Sequence, residues 1–144
     1  MNKVVLLKKA SLHPLSLVGR LAADFIQEDF ILSRGNSNVE ILMKRMQALS
    51  EGKSGIKLPV FAIYAGGDCV FIQTLKEGSP LITSLNNKLE STARDFELLK
   101  REVLPAVLGL NPEQLADSLD VSSDLAQALV AVDEDQYQYL FLLN

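Results

Sequence analysis

The pattern of apolar and polar positions predicts a strand followed by a helix at the start of the chain. Residues 3–8 are a short run of branched apolar side chains between lysines, which is typical of a strand. After a short interruption, apolar residues recur at three- and four-residue spacing, which indicates a helix with one buried face. This stripe consists of Leu17, Val18, Leu21, Ala22, Phe25 and Ile26. Pro14 suits the first helical position, where no backbone N–H is needed, so His13 lies just before the helix.

The next part of the chain predicts four strands and a second helix. The strands are residues 29–34, 39–41, 57–64 and 69–75. A run rich in turn residues, 35–38, separates the first two, and the high β propensity of 69–75 predicts a hairpin between the last two. The second helix follows the strand at 39–41 and ends at Gly52. Its apolar residues at helical spacing are Leu42, Met43, Met46 and Leu49.

Beyond residues 78–80 the periodicity becomes mainly helical. A long amphipathic helix is predicted over 81–107, and a shorter one follows from 112. Residues 113–129 have the cadence of a helix-turn-helix, in which two short helices pack on each other. The apolar run 137–143 predicts a late strand that pairs back onto the first part of the chain.

Length and composition describe one ordered domain or two very small ones. The chain has 144 residues, of which 48% are hydrophobic and 22% are charged. One cysteine, Cys69, forms no disulfide within the chain, and one histidine argues against zinc or haem sites that need several ligands. No apolar run approaches the ~20 residues that cross a bilayer. We therefore expect a cytoplasmic protein with no metal, no other cofactor and no membrane insertion.

Charge divides the chain into two regions. Residues 1–78 hold ten basic and seven acidic residues, a net charge of +3, whereas residues 79–144 hold four and eleven, a net charge of -7. No basic residue follows Arg101. Because nucleic-acid binding depends on Lys and Arg that neutralise phosphates, the sequence predicts protein partners and no nucleic acid, and the helix-turn-helix cadence is interpreted as structural.

The first region resembles the histidine-containing phosphocarrier (HPr) family of the bacterial sugar phosphotransferase system. The resemblance covers residues 3–68 and depends on the order of the predicted elements. Leu12 and His13 open an apolar helix that contains Ala22-Ala23-Asp24-Phe25. They are followed by the run from Met43 to Leu49 before Gly52, and by Phe61-Ala62-Ile63-Tyr64-Ala65-Gly66-Gly67-Asp68. Members of this family carry a phosphoryl group on one histidine and pass it between protein partners.

The resemblance implies an α+β protein. Residues 1–78 would form an HPr-like open-faced β-sandwich (βαββαβ). From their charge and helical periodicity, residues 79–144 are expected to form an acidic helical extension packed on the exposed face of this sandwich. His13 would accept the phosphoryl group, and Leu15, Ser16, Met43 and Met46 would bind the partner. Where family members have an arginine and a proline after the histidine, this chain has Leu15 and Ser16, so a charge-assisted contact to the phosphoryl group is missing.

Two functions are open at this point. The first is a phosphotransferase-system-related phosphocarrier or regulator in which His13 is the acceptor. A neutral imidazole is a nucleophile at physiological pH, and a helix N-terminus stabilises a phosphoryl group through its unpaired N–H groups. The second is a catalytically silent HPr-like protein-interaction module without phosphoryl transfer. The partner is then a component of the phosphotransferase system or a regulated protein.

Overall fold

The six strands in the described part of the chain form one antiparallel sheet. The computed structural model describes residues 3–8, 12–33, 38–52, 55 and 57–143. The strands are β1 (Lys3–Leu7), β2 (Phe25–Ile31), β3 (Val60–Tyr64), β4 (Cys69–Leu75), β5 (Leu119–Ser122) and β6 (Tyr139–Leu143). Their order across the sheet is β2-β4-β3-β6-β1-β5, and every neighbouring pair is antiparallel. The α+β class expected from the sequence is confirmed.

Helices cover both faces of this sheet. They are α1 (Pro14–Leu21), α2 (Val39–Ser50), α3 (Ser91–Leu98), α4 (Leu104–Leu108), α5 (Pro112–Ser118) and α6 (Leu125–Asp133), with a 3-10 helix at Pro80–Ser84 and a π-helical segment at Leu99–Val103. Side chains of α1, α3, α4 and α5 pack on one face, which we call the front. Side chains of α2 and α6 pack on the other face, the back. The protein therefore has three layers, with the sheet in the middle.

The most buried element is β6, which lies between β3 and β1. All five of its residues are buried, as expected for a central strand covered on both faces. Tyr139, Phe141 and Leu143 belong to the front core, and Leu140 and Leu142 to the back core. The strand predicted at 137–143 is confirmed, and it forms the middle of the sheet.

The order of elements in the first half differs from the prediction. Residues 39–41 are the first turn of α2 and not a third strand, because the backbone carbonyl of Asn38 accepts helical hydrogen bonds from Ile41 and Leu42. The first helix ends at Leu21, and Lys76 Nζ donates to the carbonyl groups of Ala22 and Ala23 just after it, at 3.0 and 3.3 Å. The second strand consequently begins at Phe25 and not at residue 29.

Helix α6 belongs to the region expected to pack on the exposed face of the sandwich, and it joins α2 on the back of the sheet. The apolar residues of α6 that face the sheet, Ala128, Leu129 and Val132, are buried there with those of α2. Periodicity identified this helix as amphipathic, but it did not indicate which face of the sheet the helix would cover.

Two predictions for the second half need correction as well. The helix expected over 81–107 starts only at Ser91, because Pro80 begins a separate 3-10 helix that is capped by the Ser79 hydroxyl. The π-helical segment at Leu99–Val103 ends two residues before Pro105, which has no N–H to continue the helical ladder. The helix-turn-helix does not form, because Leu119–Ser122 is strand β5 and pairs with β1.

The sheet crosses the predicted boundary near Gly78. Residues 79–144 contribute β5 and β6, and β6 pairs with β1 on one side and with β3 on the other. The second region is therefore not purely helical, and the first region has no continuous sheet of its own.

A fragment that ends at Gly78 tests this dependence. The fragment lacks β6, so β1 loses its pairing with the rest of the sheet, and Phe61 loses its edge-on contact with Phe141. We expect no cooperative thermal unfolding by circular dichroism, in contrast to the full chain, because exposed sheet faces favour aggregation. A fragment that unfolds cooperatively near the full-length melting temperature would show that residues 1–78 fold independently.

Candidate functional site

His13 caps the N-terminus of α1. Its backbone is extended, with φ -67° and ψ 146°, and its Nδ1 accepts a hydrogen bond from the N–H of Leu15 at 3.2 Å. The imidazole is exposed, as are Leu15 and Ser16 beside it. A side chain that satisfies one unpaired N–H of the first turn stabilises the helix. His13 therefore has a structural role as a helix cap. Of its two ring nitrogens, Nδ1 accepts the capping hydrogen bond and Nε2 does not.

Arg20 is the basic residue of α1, and it points to another helix. Its guanidinium donates to the backbone carbonyl of Val107 at 2.6 Å. This bond satisfies a carbonyl at the C-terminal end of α4, where a cation is favourable. Arg20 thus joins α1 to α4, and it does not replace the arginine that the phosphocarrier family has beside its histidine.

The methionines predicted to help His13 bind a partner lie across the sheet from it. Met43 and Met46 belong to α2 and pack in the back core, whereas α1 packs in the front core. Met46 is 1% exposed, so it contributes to the core and offers no surface to a partner. The structure brings together His13, Leu15 and Ser16, and it separates them from the two methionines.

A broad groove on the back of the sheet is a candidate binding surface. It lies between β5 and α6, and we call it the β5–α6 groove. Its volume is about 710 Å³. Its lining includes Leu6 of β1 and Asp120 and Ser122 of β5. The α6 residues that line it are Ala126, Gln127, Ala128, Val130 and Ala131, with Glu134 just after the helix.

Hydrogen bonds hold both walls of the groove in place. Asp124 caps α6 by accepting from the N–H of Gln127 at 3.1 Å. Tyr64 of β3 donates to the carboxylate of Asp133 at the other end of the helix. Tyr137 donates to Asp120 of β5, and this bond raises the pKa of Tyr137 above its ordinary value. The groove is therefore preformed and not dependent on a ligand.

The groove is apolar along its α6 wall and acidic at its rim. On that wall Val130 is 50% exposed, although most valines of the chain are buried. Val121 of β5 is 54% exposed, but it pairs with Val5 of the front core, so its side chain is directed to the front and its backbone borders the groove. The carboxylates of Asp120 and Glu134 are the charged groups of the lining. Lys8 Nζ lies 3.9 Å from Asp120, and both side chains are about half exposed, so solvent screens this pair.

One wall of the groove is a free edge of the sheet. The N–H of Lys8 donates to the carbonyl of Ser118 at 3.0 Å. Because hydrogen bonds in an antiparallel ladder alternate along a strand, Asp120 and Ser122 direct their backbone groups to β1. Val121 lies between them and directs its N–H and carbonyl away from the sheet.

Sequence reasoning missed this site because it assigned the strand to a turn between two helices. The alternation Leu119-Asp120-Val121-Ser122 was the available signal, since alternate apolar and polar residues are typical of a half-buried strand. Four residues are too few to outweigh the helical periodicity on both sides. Pairing with β1, about 115 residues earlier in sequence, determined the strand.

A second cluster, built on a buried ion pair, connects α3 to the start of β3. Arg94 and Asp95 are 7% and 5% exposed, and Arg94 Nε donates to Asp95 at 3.0 Å. The same guanidinium donates to the carbonyl of Lys57 at 2.9 Å, and the backbone of Val60 hydrogen-bonds the carboxylate. The adjoining cavity of about 220 Å³ also includes Ser91. Because both charged groups already have partners in the chain, we assign the cluster a structural role.

Asp95 makes stability depend on pH. Burial raises its pKa from 3.8 to about 6, although Arg94 opposes the change. Between pH 3.8 and about 6, Asp95 is protonated in the folded chain and ionised in the unfolded chain. The stabilisation from this proton is fully present below the unfolded pKa of 3.8 and is lost as the pH rises through about 6. Relative to Asp95→Asn, the free energy of unfolding of the natural chain should increase by about 1 kcal/mol from about pH 7.5 to about pH 5. Urea unfolding measures this difference, and equal pH slopes for the two proteins would contradict it.

The described residues hold neither a membrane-spanning helix nor a cluster of metal ligands. No described helix is long and apolar enough to cross a bilayer. Within the same residues, no three side chains of the His, Cys, Asp or Glu type converge to hold a metal ion. Comparisons of the chain with protein-family models, with curated proteins and with solved structures found no match.

Proposed function

We propose that this chain is a catalytically silent protein-interaction module that binds its partner in the β5–α6 groove. The observation that carries this proposal is the free edge of β5, which borders a preformed groove whose α6 wall exposes Val130. Sheet edges with unpaired backbone groups are sites where another chain pairs, and natural proteins usually protect them. An apolar groove with a few polar groups at its rim is also the usual form of a binding site.

The groove is suited to binding and not to chemistry. Its polar groups are the carboxylates of Asp120 and Glu134, the amides of Gln127 and Gln136, and the hydroxyls of Ser122 and Tyr137. Tyr137 is engaged with Asp120, and its raised pKa keeps the phenol protonated near neutral pH. Within this lining Tyr137 is the hydroxyl that donates to a carboxylate, and its raised pKa disfavours the phenolate that nucleophilic catalysis would need.

Phosphoryl transfer on His13 by a divergent HPr-like fold is the second candidate function. It is favoured by the exposure of the imidazole at the first turn of α1. Two observations weigh against it. The Nδ1 atom already accepts from Leu15, and the one arginine of the helix is bound to Val107. The family resemblance of residues 3–68 is retained only as part of this second candidate.

The binding function is tested with displayed random peptides. We expect peptides to be enriched on the natural chain and to bind Ala126→Trp at least about tenfold more weakly, a loss of about 1.4 kcal/mol, because the indole fills the groove. Ala126 is exposed, so the core is unaffected. The matched control is Ala48→Trp, an exposed alanine of α2 outside the groove, which should bind as the natural chain does. Failure to enrich any peptide that distinguishes the two variants would refute the proposal.

The two candidate functions differ in phosphorylation. Incubated with phosphoenolpyruvate and the phosphotransferase enzyme that phosphorylates HPr, the chain should acquire no acid-labile phosphoryl group, because His13 serves as a helix cap. His13→Asn is the matched control, since asparagine preserves a cap but cannot form phosphohistidine. A label on the natural chain that is absent from His13→Asn would establish the second candidate.

A further inference from the structure

We infer that the ligand of the β5–α6 groove is an extended, basic segment of a partner protein that adds to β5 as a seventh strand of the sheet. This inference rests on the proposed function and specifies the partner. It follows from three properties of the groove, namely its backbone edge, its shape and its charge.

The backbone edge fixes the conformation of the ligand. Val121 directs its N–H and carbonyl away from β1, between two residues that are bonded to β1. An extended segment satisfies such groups with its own backbone, whereas a helix has no backbone groups free to do so. The segment therefore lies beside Val121 at the usual spacing of neighbouring strands, about 4.8 Å.

The shape of the groove fixes where alternate side chains go. A strand beside β5 directs every second side chain to the back of the sheet, where α6 forms the opposite wall. Ala126 and Ala131 are small and leave room for these side chains, and Val130 provides an exposed apolar contact. Apolar side chains of moderate size at alternate positions of the segment fit this space.

Charge complementarity makes the segment basic. The carboxylates of Asp120 and Glu134 lie at the rim, and no lysine or arginine occurs after Arg101 in the sequence. Among the described residues, Lys8 forms the ion pair of this rim, with its Nζ 3.9 Å from Asp120. Complementary potentials accelerate association and exclude partners of the wrong charge. A second copy of the chain would bring the same carboxylates together, so an exchange of β5 edges between copies is disfavoured.

The test uses a synthetic peptide of alternating valine and lysine, with amide hydrogen exchange measured by NMR on the full chain. In the free protein the amide proton of Val121 should exchange rapidly. At saturating peptide it should exchange at least about tenfold more slowly, since it gains a hydrogen bond. The amide proton of Asp120, which already bonds to β1, serves as the internal control and should not change.

Three controls separate strand addition from other binding. A peptide with glutamate in place of every lysine should bind at least about tenfold more weakly at low salt, where charge effects are strongest. Glu134→Gln should weaken the lysine peptide, whereas Glu113→Gln, a matched change on α5 outside the groove, should not. Methylation of the backbone nitrogens on one edge of the peptide should prevent binding, and methylation on the opposite edge should not, because only one edge faces β5.

The outcomes distinguish this inference from the proposed function. If displayed peptides bind in the groove but do not slow amide exchange at Val121, the inference is wrong. It is also wrong if the bound peptides are acidic. In both cases the proposed binding function stands. If neither the lysine peptide nor any displayed peptide binds, both fail. Protection of Val121 that appears on concentrating the protein alone would show that a second copy covers the edge, which also overturns the inference.

Discussion

The fold depends on the insertion of β6 between β1 and β3. Without this strand the sheet would separate into β1 with β5 on one side and β2, β4 and β3 on the other. In the front core the ring of Phe141 meets that of Phe61 on β3 and that of Tyr139 on β6 itself. Because both faces of β6 are covered, all five of its residues are buried, and removal of their apolar surface from water stabilises the fold. The first strand, β1, is therefore joined to β3, β4 and β2 by the last strand, β6.

This arrangement determines which strands are left at the edges. With β6 in the centre, β2 and β5 lie outermost, and they differ in how they are protected. On β2, Glu28 forms two hydrogen bonds of 2.6 Å with Arg45 of α2, and the neighbouring Asp29 adds a second charge to the edge strand. On β5, the exposed residue at the centre of the strand is an apolar one, Val121. Charged residues and short strands are common protections of sheet edges. The charges of β2 stand beside the exposed Ile26 and Ile31, whereas β5 has four residues and carries its one charge on Asp120.

Several polar residues have structural roles, among them His13, for which the family resemblance implies a chemical one. His13 caps α1, Arg20 satisfies a carbonyl of α4, and the buried pair of Arg94 and Asp95 connects α3 to the strand region at 57–60. Each of these groups bonds a backbone group that secondary structure leaves unpaired. Buried or partly buried backbone groups require such partners, so these polar side chains stabilise the layers around the sheet.

The sequence by itself determined the local elements whose signal is strong and self-contained. The strand at 3–8, the proline at the first position of α1, the hairpin of β3 and β4, and the strand at 137–143 were all predicted from propensity and period. Tertiary structure decided the rest: the layer in which each helix lies, the position of the last strand in the sheet, and the strand state of residues 119–122. These features depend on pairing and burial between segments that are distant in sequence. The free energy of such contacts cannot be inferred from a local sequence pattern. The β5–α6 groove belongs to this second group, because both its walls exist only once β5 has paired with β1.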